Sequence, residues 1–231
     1  MNELLAQWTY SGMELGLGSY FFALWLQKKC RLPILNPLLI STILIILFLH
    51  VFHVDYETFD KGAQYITYFL TPATICLAVP LYKQFQVLKN NALAILAGVL
   101  AGCLSHGLVI GGMALLCKME PVFMISLLPK SITTAIALGT CEELGGISGI
   151  TIAGTLVAGL MGAIFGPVLL KWFRIKEPVA QGVCIGTASH AIGTSKMIEL
   201  GEVQGAMSSL AIVVSGLITV VTAPVFAAVF A

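Results

Sequence analysis

Charge is scarce in this chain. Only 10% of its 231 residues are Asp, Glu, Lys or Arg, against about 25% in soluble domains, and no long polar stretch from which a soluble domain could be cut interrupts the apolar sequence. The net charge of +1 gives no basic face for nucleic acid. Cysteines are few and scattered: Cys30, Cys76, Cys103, Cys117, Cys141 and Cys184 form no CxxC pair, so neither a disulfide framework nor a metal site is expected. They read as small packing residues. His50, His53 and His106 are too dispersed for a metal constellation. There is no HExxH, no phosphate loop and no nucleophile elbow, which speaks against an enzyme and against a cofactor. The first ten residues hold Glu3, no basic residue and no small-residue cleavage site, so the N-terminal apolar run reads as a retained helix.

What the sequence has is apolar length, 58% of its residues being hydrophobic. The expected fold is an all-α polytopic membrane protein. About 20 apolar residues cross a bilayer, and such runs predict six spans, at Tyr10–Gln27, Ile34–Val51, Tyr65–Tyr82, Ala92–Cys117, Ile147–Trp172 and Val203–Phe230. Two further apolar segments, Pro121–Gly146 and Ala180–Gly201, break at mid-depth. The first is interrupted by Pro129-Lys130-Ser131-Ile132-Thr133-Thr134 and the second by the polar run from Gly186 to Lys196. Opened backbone at that depth is tolerated only where protein or a watery cavity satisfies it.

Basic residues follow the first, third and fifth spans: Lys28, Lys29 and Arg31; Lys83 and Lys89; Lys171, Arg174 and Lys176. Placed in the cytoplasm by the positive-inside rule, they put both termini outside. The broken segments then become re-entrant hairpins, one entering from each side. Hairpin plus helix, repeated in opposite orientation, is an inverted repeat of the kind that holds solute at the midplane. The chain reads as one membrane domain, residues 1–118 supplying scaffold helices and residues 119–231 the hairpin core.

Lys130 is the leading candidate for chemistry. A lysine at mid-span costs about 2.5–3.5 kcal/mol to insert and should face protein or water. It is either a cation for an anionic solute or half of a buried pair with Glu142 or Glu143. Ser131, Thr133 and Thr134 can cap the following arm, whose N-terminal partial positive charge favours a carboxylate. In the second break, Thr187, Ser189 and Thr194 supply hydroxyls. His190 is either a proton-exchanging group or a neutral core histidine. Lys196 and Glu199, three apart, are placed either to pair or to couple a proton. Asn36, before Pro37, either lines a cavity or caps a helix. Thr71, Pro72 and Thr74 form a weaker polar break in the third span, and the GxxxG spacings Gly98/Gly102, Gly107/Gly111 and Gly162/Gly166 allow close helix approach.

The motifs Leu35-Asn36-Pro37-Leu38-Leu39, Leu128-Pro129-Lys130-Ser131-Ile132-Thr133-Thr134 and Gly186-Thr187-Ala188-Ser189-His190-Ala191-Ile192-Gly193-Thr194, in that order along the chain, resemble the LrgB/CidB family. The resemblance implies a protein of the bacterial inner (cytoplasmic) membrane. It implies two functions: a holin- or antiholin-like component that acts with a small LrgA/CidA-type membrane protein on murein hydrolase activity and autolysis, or a carrier of small monocarboxylates such as glycolate, glycerate or pyruvate. Plant relatives carry an additional LrgA-like half that this chain lacks. The two mid-depth breaks favour the carrier, working as an oligomer, expected to be a dimer.

Overall fold

The computed structural model describes residues 8–30, 37–69, 72, 75, 76 and 78–230, all of them in helices, turns or short connections. Arg31, Asn36, Leu70, Thr71, Ala73, Thr74 and Leu77 lie outside the described residues, and the rest of the expected Tyr65–Tyr82 span is not one helix: a helix ends at Thr67, residues 68–69 form a turn, and a helix runs again from Ala78. The chain forms two compact units, residues 1–76 and 77–231. In the first, helix α1 (Ser11–Cys30) packs against α2 (Pro37–Val51) and α3 (Tyr56–Thr67). A Cβ on Gly12 would overlap the α3 backbone at Phe59 and Ala63, which allows the α1–α3 approach.

The second unit contains α4 (Ala78–Lys83), α5 (Phe85–Cys117), α6 (Pro121–Leu127), α7 (Thr134–Glu143), α8 (Ser148–Trp172), α9 (Pro178–Leu200) and α10 (Glu202–Phe230). Among the described residues, α5, α8 and α10 are long and apolar enough to cross a membrane, and α2 is apolar but shorter. Helix α5 starts seven residues before the expected Ala92, carrying the polar turn at Lys89–Asn91 within the helix. It stops at Lys118, in the left-handed conformation, where the Met119 N–H bonds back to Ala114 O at 2.9 Å.

Both broken segments are hairpins, and the helices that follow them show it. Ile147 N, at the start of α8, donates to Ser126 Oγ at 2.7 Å, Thr151 Oγ1 donates to Ser126 O at 2.8 Å, and further along Gly154 faces Leu127 and Lys130. Helix α8 therefore runs parallel to α6. For two successive helices to lie parallel, α7 must come back between them, and Gly146 closes that return against Cys141 and Ser126, one from each arm. The second segment repeats the pattern. Gly182 packs on Gln204 and Met207, and Gly186 on Ser208 and Ala211, so α10 runs parallel to the first arm of α9.

The hairpins enter from opposite ends of α8. The first meets its N-terminal turns at Ile147 and Thr151. The second meets its C-terminal turns, where Ile185 and Met197, one from each arm, share a buried cluster with Leu170. Their tips come together along the middle of α8, Lys130 against Gly154 and His190 against Thr155 and Gly159. The expected inverted arrangement is thus visible as a register along one helix.

The two breaks differ in extent. The first opens six residues, 128–133, between α6 and α7. The second, expected across Gly186–Lys196, is confined to Ser189 (φ −139°, ψ 15°) and His190 (φ 40°, ψ −142°), the flanking residues remaining helical. Close packing explains the narrowness: a Cβ on Gly162 of α8 would overlap the Ser189 side chain, so the backbone pivots at a single point held against α8.

Candidate functional site

A cavity of about 730 Å³ lies between α5, the first hairpin tip and the first arm of α9. Lys130 and Ser131 enter it from the tip, Thr187 and Ala188 from the last turn before the α9 break, and Ser105 and His106 from the middle of α5. It extends to Asn91 and Glu177 at the end of the unit. Both broken segments therefore contribute to one chamber at the depth where their tips meet.

Lys130 is half-buried and, among the described residues, has no ion pair. The alternative pairing with Glu142 or Glu143 is not made; Glu142 instead accepts from the Ser148 hydroxyl at 3.4 Å. The tip that presents Lys130 is a tight turn, with Lys130 N–H donating to Leu127 O at 3.2 Å and Ile132 N–H to Pro129 O at 3.2 Å. Pro129 and Ile132 are fully buried and anchor it. From α5, His106 Nε2 donates to Leu128 O at 2.9 Å and so fixes the turn two residues before the lysine.

The expected capping by hydroxyls is not observed. Thr133 occupies the N-cap position of α7 with extended backbone (φ −60°, ψ 142°), but its side chain makes no capping bond. The first helical bond runs from Ala137 N–H to Thr133 O, leaving the amides of Thr134, Ala135 and Ile136 ahead of it. Ser131 is buried and lines the cavity, whereas Thr133 is half-buried and Thr134 exposed, both outside its wall.

The second tip is closed upon itself. His190 is 4% exposed and its Nε2 donates to Thr155 O at 2.8 Å. Thr194 donates to His190 O at 2.9 Å or shares a hydrogen with Ser208 Oγ at 2.7 Å. Ser189 is buried against Gly162. None of these three lines the cavity; of the candidates in this segment only Thr187 does. Lys196 and Glu199 form an exposed ion pair along the second arm, away from the chamber. Asn36 lies outside the described residues.

Sequence reasoning passed over Asn91, Ser105 and Glu177, and set His106 aside as one of several dispersed histidines. For Ser105 and His106 a signal was present: two polar residues in the middle of a 33-residue apolar helix carry the same mid-depth penalty that singled out Lys130.

An all-α fold with, among the described residues, three helices long and apolar enough to cross a membrane, and two inverted hairpins whose tips meet beside a cavity, defines a polytopic membrane protein. The chain belongs to the LrgB-like family, whose model matches residues 16–229. It is 42% identical over 197 residues to an uncharacterized protein, YxaC, of Bacillus subtilis strain 168, covering 85% of each chain. It is 38% identical over 218 residues to the antiholin-like protein LrgB of Bacillus cereus strain B4264, covering 94% of this chain and 95% of the relative. No solved structure matches it.

Proposed function

We propose that this protein is a non-enzymatic carrier of small monocarboxylates in the bacterial inner membrane, with the end bearing Lys89, Lys171 and Arg174 in the cytoplasm. The observation that carries the reading is the unpaired Lys130 at a mid-depth hairpin tip, facing a chamber of about 730 Å³. That volume is within the ~300–1,000 Å³ of small-molecule sites. An intramembrane cation without a partner is expensive unless an anion visits it, and a hairpin fixed from α5 and α8 presents it reproducibly. The carboxylate sits on the Lys130 ammonium, with the Ser131 hydroxyl as a second donor. The second hairpin supplies Thr187 as the facing wall.

A second reading, an antiholin-like component acting with an LrgA-type partner, is favoured by the name of the Bacillus cereus relative. The two readings part on Lys130. The deciding measurement is uptake of radiolabelled glycolate and pyruvate into proteoliposomes holding the purified chain, wild type against Lys130→Ala at matched insertion. Uptake lost in the variant supports the carrier. No uptake from the chain alone, restored by adding an LrgA-type protein, makes it half of a carrier. No uptake under either condition leaves the antiholin-like reading.

A further inference from the structure

Three polar side chains on the cavity wall have already committed their hydrogens. Ser105 Oγ donates to Gly102 O at 3.0 Å, and Thr187 Oγ1 donates to Val183 O at 2.8 Å. His106 Nε2 lies 2.9 Å from Leu128 O; a carbonyl only accepts, so Nε2 carries the hydrogen, and in the neutral ring Nδ1 then holds a lone pair. What these groups retain for a solute is lone pairs. The donors on the same wall near the tip are the Lys130 ammonium and the Ser131 hydroxyl.

The acceptors are neighbours. Thr187 packs against Gly102, one turn before Ser105 and His106 on α5, and the bond from His106 to Leu128 brings the ring to the turn that presents Lys130. The chamber therefore sets a cation beside a cluster of acceptors. Resting on the carrier reading, we infer that Ser105, His106 and Thr187 are the specificity-determining residues of the site, admitting a monocarboxylate with an adjacent hydroxyl and disfavouring the ketone of the same shape. The carboxylate takes Lys130, and the solute O–H donates to the acceptor cluster. A 2-oxo acid brings only lone pairs to that wall. Its ketone oxygen faces acceptors and brings no donor to them, Thr187 among them being buried. Sites built to bond a substrate hydroxyl reject the analogue without one far more strongly than apolar pockets separate sizes.

L-lactate and pyruvate differ at this one group and are the probes. Their uptake is measured in proteoliposomes holding the wild-type chain, Ser105→Ala or Thr187→Val. Alanine removes the Ser105 acceptor and leaves the bond from His106 to Leu128 O in place, and valine retains the shape of threonine. The expected result is a wild-type preference for lactate of about tenfold or more, falling to within about threefold in each variant. Equal wild-type uptake of both acids, with both lost in Lys130→Ala, leaves the carrier standing and overturns the selective wall. Variants that keep the full preference overturn the assigned residues. Uptake of neither acid overturns both readings. Should the variants fail to fold, the wild-type ratio decides alone, a value below about threefold refuting the inference.

Discussion

The two hairpin tips have the same architecture and opposite chemistry. At the first, six residues leave the helix, and among the described residues the Lys130 ammonium and the hydroxyls of Ser131, Thr133 and Thr134 have no hydrogen-bond partner. At the second, the backbone breaks over two residues, and the polar groups of His190 and Thr194 are consumed by Thr155, Ser208 and the chain itself. An unpaired polar group at mid-depth is expensive, whereas a satisfied one is a brace. The difference teaches that an inverted repeat need not use both tips alike. On the carrier reading the first is open to a solute, while the second braces α9 against α8.

The sharpest way to break this comparison is to remove the free cation. Lys130→Met is expected to lower monocarboxylate uptake about 100-fold, the value of losing charge-assisted hydrogen bonds of about 1.5–3 kcal/mol. Its thermal unfolding midpoint in detergent is expected to stay level or rise, because an unpaired charge leaves the apolar interior. A large fall in that midpoint would mean that Lys130 is structural after all. At the second tip the expectation reverses. Gly162→Val places a side chain where Ser189 packs and should destabilise by about 3 kcal/mol. His190→Ala removes the donor to Thr155 O and should cost about 2 kcal/mol. In both, folded protein that survives should keep its uptake and its response to a pH gradient. Loss of that response in His190→Ala would identify the histidine as a proton-exchanging group.

The existence of both breaks was legible because proline, lysine and clustered hydroxyls are conspicuous in apolar sequence, and the opposed entry of the two hairpins, though not the side of the membrane each faces, followed from where Lys and Arg cluster. Which tip is open was not legible. It depends on pairings between distant residues: Thr194 with Ser208, His190 with Thr155, and Ser189 with the gap at Gly162. Local composition carries no sign of these. The GxxxG spacings were ambiguous for the same reason, since a glycine pair reports room for a neighbour without naming it. Here Gly102 receives Thr187, Gly107 receives Phe226 and Gly111 receives Phe230. His106 was discounted because three dispersed histidines suggest no metal site, although a single buried polar side chain needs only a carbonyl to become a positioning residue, as Leu128 O shows.

The smallest expected effect concerns Lys196 and Glu199, and it tests whether charge or placement marks a functional residue in this chain. They are an ion pair three residues apart on the second arm, the lysine side chain 37% and the glutamate 66% exposed. Exposed pairs of this kind contribute about 0.2–1 kcal/mol, and neither residue touches the chamber. Lys196→Ala and Glu199→Gln should therefore each shift stability by less than about 1 kcal/mol and leave uptake and its pH dependence as in wild type. Lys130 and Lys196 would then be the same side chain in adjacent hairpins with effects differing by orders of magnitude, separated by one difference: the carboxylate for Lys196 is supplied by its own helix, whereas on the carrier reading the carboxylate for Lys130 is the solute's. If Glu199→Gln abolishes the response to a pH gradient instead, the pair is a proton-coupling device, and the second hairpin is as functional as the first.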